Sequence, residues 1–352
     1  MIINKIIDED INQILFENNN FNELYDKKIM ITGASGMIGS YFVYTLMKLN
    51  ENFDANITIL PLIRNLDKFN SQVISNEYVN PIVQDVTKKI DYDDDVECII
   101  HTASPASPEL MNKYPVETNL TNTLGTANML NFARSHNTKK FLFTSTREVY
   151  GQSVCNQNYF KETDIGIINQ LLPRNSYAES KKAAENLCLG FKEEYGLNTK
   201  IVRLAHTFGP GMNINHGMVH TEFLKNLLNN QDIILKSDGS SKRTYTYISD
   251  SISAMFKVLL KSKDFVYNIS NDKNEVSVRE LAEIIISLDS SNNLKLKFDI
   301  QEENKKLDYS SFKNCLLSSE KIKQELGWNP KYSVNEGFNR MFEYLKHYNK
   351  FN

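Results

Sequence analysis

Cysteine is scarce in this chain: Cys98, Cys155, Cys188 and Cys315 are scattered through 352 residues with no C-x-x-C pair. Such spacing offers neither a disulfide framework nor a zinc ribbon. There is no surplus of positive charge either. Forty lysines and arginines face 43 aspartates and glutamates, a formal charge of -3, which leaves no field for nucleic acid and no polybasic membrane patch. No segment approaches the ~20 apolar residues that cross a bilayer. The first ten residues carry acids where a signal peptide needs a long apolar run. These absences predict a soluble, reduced, cytoplasmic protein. The length is enough to bury a sizeable core, as one large or two moderate domains.

Glycine is also sparse, at 14 residues, yet three fall within seven positions of Thr32-Gly33-Ala-Ser-Gly36-Met-Ile-Gly39. They follow a short apolar run, residues 28–32, that reads as a buried strand, and they open a helix over 37–49. The first glycine permits a sharp turn, the second lets backbone N–H groups approach a phosphate, and the third allows close helix–strand packing. A helix amino terminus then faces a negative pyrophosphate. Gly33, Ser35, Gly36, Met37, Ile38 and Gly39 are thus the candidate dinucleotide cradle. The spacing is G-x-x-G-x-x-G rather than the commoner G-x-G-x-x-G, and a tight turn with no ligand is the plain alternative.

Strands and helices alternate beyond this point. Strands are expected at 57–63, 79–83, 97–101, 140–145 and 199–203, with helices at 117–134 and 176–194. This pattern predicts an α/β fold: a Rossmann-type, doubly wound parallel sheet over residues 28–206, with ligands at the carboxyl ends of its strands. Residues 1–27 read as a helical extension, since Ile7, Ile11, Ile14 and Leu15 recur at helical spacing before Asn18-Asn-Asn20. Residues 207–352 read as a smaller mixed α/β substrate lobe, with 244–248 and 266–269 returning strands to the main domain.

The end of the second strand reports on the cofactor ribose, because an acid there suits NAD and an arginine suits the 2′-phosphate of NADP. Ile63-Arg64-Asn65 has no acid until Asp67, so Arg64 tilts the expectation from NAD towards NADP. A solvated surface arginine is the alternative. Asp85 and Val86, after the third strand, are placed to meet adenine, although Asp85 could equally cap the following turn.

A Y-x-x-x-K pair puts a phenol and an ammonium on one helix face. The chain has three: Tyr44/Lys48, Tyr177/Lys181 and Tyr309/Lys313. Position selects among them. Only Tyr177 begins a helix that follows the fifth strand, whose end presents Thr144-Ser145-Thr146. A free phenol titrates near ~10 and needs a nearby positive charge to act as a base at neutral pH. Lys181 is the expected source of that charge and also a ribose ligand, and Thr146 can hydrogen-bond the reacting hydroxyl. Tyr177 would then take a proton as hydride leaves the same carbon.

These motifs resemble the extended short-chain dehydrogenase/reductase family, in its nucleotide-sugar epimerase, dehydratase and decarboxylase branch. The resemblance runs from Lys28 to about Leu288. It includes His101-Thr-Ala-Ser-Pro-Ala-Ser-Pro108, Thr121-Asn-Thr-Leu-Gly-Thr126, Thr144-Ser-Thr-Arg-Glu-Val-Tyr-Gly151, Phe208-Gly-Pro210 and Arg243-Thr-Tyr-Thr-Tyr-Ile-Ser-Asp250. It implies a retained, tightly bound nicotinamide cofactor and transient oxidation of sugar C4. It also implies a catalytic set at Asn122, Thr146, Glu148, Tyr177 and Lys181. Thr102, Ala103 and Ser104 would touch the cofactor. Ser104, Arg147, Glu148, His206 and Arg243 would touch a nucleotide-sugar substrate. A homodimer through the 117–134 and 176–194 helices is implied as well.

The reaction stays open among three outcomes. Dehydratases of the branch carry Thr-Asp-Glu where this chain has Thr146-Arg147-Glu148, and an arginine cannot supply the proton. Decarboxylases of UDP-glucuronate carry Thr-Ser-Glu, so Glu148 fits and Arg147 departs. A guanidinium there could grip a uronate carboxylate through two parallel bonds, or point outward. His206 stands where the branch has an asparagine. The Ala-Ser-Pro run and Asn271-Asp-Lys-Asn-Glu-Val-Ser277 look closest to the decarboxylases, with 4-epimerase or another C4 oxidoreductase next. A dinucleotide-binding protein without turnover is the reading from a different class. His216 and His220 lack the further ligands of a metal site, so no metal is expected.

Overall fold

The computed structural model describes residues 4–105, 107–154, 157, 159–215, 217–289, 293–300 and 315–348. Its centre is a seven-stranded, wholly parallel sheet. In chain order the strands are β1 (Lys28–Thr32), β2 (Thr58–Ile63), β3 (Ile82–Val83), β4 (Cys98–His101), β5 (Lys140–Thr146), β6 (Thr199–Leu204) and β7 (Val266–Ile269). In space they run β7-β6-β5-β4-β1-β2-β3. Both faces are covered, which is why β1, β2 and β4 are nearly continuous apolar runs rather than alternating ones. The third strand is shorter than the expected 79–83. Pro81 has no N–H to give the ladder, and Val79 keeps only an isolated bridge to Ile59.

The order reverses at β1, so a crevice opens between the carboxyl ends of β1 and β4, where Thr32 lies in register with His101. Helix α1 (Lys5–Glu17) buries Ile7, Ile11 and Ile14. Helix α2 (Met37–Phe53) follows β1 through the glycine turn. Helices α3 (Pro115–Ser135) and α4 (Ser176–Tyr195) pack together on one face. Helix α5 (Ile248–Lys261) is buried almost throughout, against α1 and α2.

One expected strand lies elsewhere. Residues 266–269 do join the main sheet, as β7. Lys242–Tyr247 instead pairs with His206–Phe208 and Glu275–Ser277 in a separate three-stranded sheet. Its Thr-Tyr-Thr-Tyr pattern marks a strand but does not choose the partner. The rest of the outer lobe includes Ile233–Leu235 paired with Leu296–Phe298, and a helix at Val278–Ile286 fastened by a Ser277/Glu280 capping box. The chain closes with α6 (Val334–Tyr348), which returns to α1.

Candidate active site

The glycine turn has the shape a pyrophosphate requires. Gly33 has φ +65°, and a Cβ there would lie 2.8 Å from the Ala103 Cα. A Cβ on Gly39 would meet the Gly33 carbonyl oxygen at 2.5 Å. Gly36 caps α2 with no side chain of its own, and the first turn carries no acid, so the free N–H groups there are open to an anion. Ser35 is exposed beside them, and Met37 and Ile38 are half-buried. The facing wall is held by Thr32, whose Oγ1 accepts from the N–H groups of Thr102 and Ala103 at 3.1 Å each. Thr102 Oγ1 returns a bond to the Thr32 carbonyl at 2.7 Å. The residues of the crevice thus fit a dinucleotide, whose phosphates the backbone N–H groups at the start of α2 would hold.

Arg64 is exposed at the end of β2, within electrostatic reach of Asp85. Asp85 is engaged in a turn, its Oδ1 accepting from the Thr87 N–H and hydroxyl at 2.9 Å each. Burial works against its ionised form, but those bonds and the positive charge of Arg64 hold its pKa below the ordinary carboxyl value. The Val86 side chain is buried, and a Cβ at Gly125 would come within 2.9 Å of it, so that glycine lets α3 lie close to this wall.

At the carboxyl end of β5 the structure brings Thr146, Tyr177 and Lys181 together. Tyr177, in the first turn of α4, is buried. Burial pushes its phenol well above the ordinary value, the Glu148 charge adds to this, and the Thr146 hydroxyl bond with Arg174 and Arg147 opposes it. Lys181 was the cation expected to lower the phenol. It is committed instead to the Thr144 carbonyl at 2.7 Å and to the Phe143 ring at 4.7 Å. Burial draws its pKa down to about 7, and the Glu185 carboxylate pulls the other way. The Thr144 hydroxyl is buried with no protein partner.

Behind Lys181 lies a network that motif reasoning missed. Glu185 accepts from Arg203 at 2.6 and 3.0 Å and from the Ser145 hydroxyl at 2.5 Å. Arg203 also donates to the Tyr150 hydroxyl at 2.8 Å. Glu185 stands four residues after Lys181 on one helix, a spacing that could have announced it.

Glu148 is mostly buried and accepts from both terminal nitrogens of Arg174 at 3.1 Å each. Arg147 is buried rather than outward-pointing, with one guanidinium nitrogen on the Cys315 carbonyl at 3.3 Å. Arg243 donates to the Ser241 hydroxyl and the Lys242 carbonyl, at 2.7 Å each. Burial and the Arg147 charge pull Arg243 down to about 10. The His206 ring, half-buried on its short strand, stays neutral for the same reasons: burial first, then Arg147, Arg243 and His220. Among the described residues no carboxylate forms an ion pair with Arg147 or Arg243.

Asn122, buried on α3, accepts from the Ser104 hydroxyl at 2.7 Å and donates to Ser180 at 2.9 Å, which ties the β4 loop to α4. Tyr44 and Lys48 sit apart from the site, Lys48 pairing with Asp8 at 3.2 Å and Glu51 at 3.3 Å. Tyr309, Lys313, Cys155 and His216 lie outside the described residues. Among those described, no cluster of three His, Cys, Asp or Glu could hold a metal, and no helix is long and apolar enough to cross a membrane.

Residues 29–270 match the sequence profile of the NAD dependent epimerase/dehydratase family. A UDP-glucuronic acid decarboxylase of Arabidopsis thaliana is 32% identical over 318 residues, covering 90% of this chain and 88% of its own length. One from Danio rerio is 28% identical over 332 residues, covering 91% and 72%. Among solved structures, an epimerase from Methanothermobacter thermautotrophicus superimposes with a TM-score of 0.81 at 21% identity, covering 97% of each chain. An NAD complex of dTDP-glucose 4,6-dehydratase from Bacillus anthracis gives 0.73 at 22%, covering 92% of this chain and 98% of that one.

Proposed function

Because this chain belongs to the NAD-dependent epimerase/dehydratase family, we propose that it decarboxylates a UDP-linked hexuronate through transient oxidation of sugar C4. The observation that carries the choice of reaction is the Arg147–Arg243 pair. The Arg147 charge reaches Arg243, and among the described residues no acid forms an ion pair with either; Arg147 stands where a dehydratase needs a proton donor. A carboxylate on the sugar balances that charge. The similarity to UDP-glucuronic acid decarboxylases supports the same reading.

A bound nicotinamide would supply the hydride acceptor for C4 and the donor that restores it. The chain's part is to hold and move protons. Tyr177 takes the C4 hydroxyl proton, with Thr146 hydrogen-bonded at the same oxygen, and Lys181 would hold the cofactor ribose. With a carbonyl at C4, the C5 carboxylate leaves as carbon dioxide, its bonding pair passing into the C4–C5 enolate. A proton then enters at C5 and Tyr177 returns its own to O4. The departing group is neutral, so the arginine contact is lost in that step. Arg147 and Arg243 therefore select the acidic sugar more than they speed the chemistry.

Incubation of the purified protein with UDP-glucuronate tests this by product mass. Loss of carbon dioxide is expected. Unchanged mass with inverted C4 would mark an epimerase, and loss of water a dehydratase. Tyr177→Phe should keep cofactor and lose turnover by ~10²–10⁴-fold.

The finer choice of cofactor rests on Arg64, which we assign to the 2′-phosphate, so that NADP is accepted beside NAD. The assembly we propose is a homodimer through α3 and α4. Val116, Leu120 and Leu124 are exposed at intervals of four along α3, with Leu189 and Tyr195 exposed on α4. Leu120→Glu with Leu124→Glu should halve the solution mass; an unchanged mass would count against this face.

A further inference from the structure

We infer that Arg174 is a positioning residue, one that fixes the Glu148 carboxylate and offsets part of its charge at the Tyr177 phenol. The inference rests on Tyr177 being the proton acceptor in the reading above. Three residues converge here from two directions. Glu148 lies on the 3₁₀ turn Arg147–Tyr150, which β5 delivers, with its backbone N–H bonded to Thr146 Oγ1 at 3.3 Å. Arg174 lies on the 3₁₀ turn Pro173–Asn175, three residues before Tyr177. Both terminal nitrogens of one meet both oxygens of the other, 3.1 Å apart each, and the side chains are only 24% and 14% exposed. A bidentate pair so shielded fixes orientation as well as charge.

The consequence for Tyr177 follows from the sign of each charge. The Glu148 carboxylate disfavours phenolate, and the Arg174 guanidinium favours it. As a pair they oppose each other, so the guanidinium offsets part of what the carboxylate does to the phenol. Remove the guanidinium and the carboxylate acts alone, which holds the proton on Tyr177. Remove the carboxylate and the guanidinium acts alone, which releases it. A residue that merely packed the turn would predict neither movement, and still less two movements of opposite sign.

The test reads the pH dependence of the oxidation half-reaction, as the absorbance of reduced cofactor in single turnovers of the holoenzyme. That step precedes carbon dioxide loss and isolates the Tyr177 proton. Arg174→Gln should move the acid limb upward by roughly one pH unit, and Glu148→Gln should move it downward. Arg174→Lys keeps the charge but not the fork, so its limb should stay near wild type while its rate falls several-fold. Identical limbs in all four proteins, each with cofactor bound, would overturn the inference. Should Arg174→Gln fail to retain cofactor, the Glu148→Gln and Arg174→Lys limbs decide alone. A wild-type enzyme that never reduces its cofactor on UDP-glucuronate would sink the proposed reaction instead, which keeps the two failures apart.

Discussion

Asp10 and Arg340, 330 residues apart, meet at 2.8 Å and join the first helix to the last. Asp10 is fully buried on α1, and its other oxygen accepts from the Tyr41 hydroxyl of α2 at 2.8 Å and from Tyr247 at 3.0 Å. Arg340 on α6 also holds Glu9 at 3.0 Å and the Ile6 carbonyl at 3.1 Å. The amino-terminal helix is thus fastened at once to the helix that opens the cofactor cradle and to the outer lobe. Removing one partner of a buried pair strands the other charge at a cost of about 3–5 kcal/mol. Arg340→Met should therefore lower the unfolding free energy by about that much, read by urea denaturation. Asp10→Asn, which keeps the acceptor and removes the charge, should cost less. Equal and small losses would show that the clamp is decorative.

The acid limb of stability should carry the signature of His101. Its ring is buried between Thr32 Oγ1 at 2.7 Å and Thr126 Oγ1 at 3.1 Å, and burial draws its pKa from 6.5 down to about 3. Between those values the unfolded chain takes up a proton that the folded chain refuses. Stability from this group is complete above pH 6.5 and is lost as pH falls towards 3. Asp10, raised to about 6, and Asp250, raised to about 7 by burial, act in the opposite sense. The folded state binds their protons first, so they add stability as pH falls below those values. His101→Gln removes the losing arm alone. Its deficit against wild type, measured at pH 7.5 and again at 4.5, should shrink by about 3 kcal/mol, at ~1.4 kcal/mol per pKa unit over the two units below 6.5.

Glu185→Gln should show that Lys181 depends on its neighbour. Without the carboxylate, Arg203 and Ser145 lose their charged acceptor, and burial meets less opposition in driving the proton from Lys181. The expected outcome is a tenfold or larger loss of turnover at pH 7 with weaker cofactor binding, partly recovered at pH 6 where the ammonium re-forms. No recovery at the lower pH would mean that the damage is structural.

The central sheet was legible because burial on both faces writes uninterrupted apolar runs, and the glycine turn between β1 and α2 marked its ligand end. Lys242–Tyr247 was legible as a strand but not by sheet, since His206–Phe208 and Glu275–Ser277 claim it only through tertiary packing. Tyr177 and Lys181 stood out because spacing and position agreed. Arg174 did not, because its partner Glu148 lies 26 residues away and a surface arginine reads the same in sequence. The Asp10–Arg340 clamp, spanning nearly the whole chain, leaves no local pattern at all.

Arg64 is the residue we assign to the choice between NAD and NADP. It is exposed at the end of β2, where a ribose would lie, and its charge reaches Asp85 on the next strand's turn. A 2′-phosphate gains the guanidinium but must sit within reach of that carboxylate, whereas a free ribose hydroxyl is indifferent to the repulsion. NADP should therefore bind, but with only a modest advantage from Arg64. Arg64→Ala should weaken NADP by roughly tenfold, about 1.4 kcal/mol, and leave NAD within twofold, as read by calorimetry on protein stripped of cofactor. Asp85→Asn should act the other way, tightening NADP. If NADP is bound equally well by wild type and Arg64→Ala, that arginine is a solvated surface charge and the cofactor is NAD.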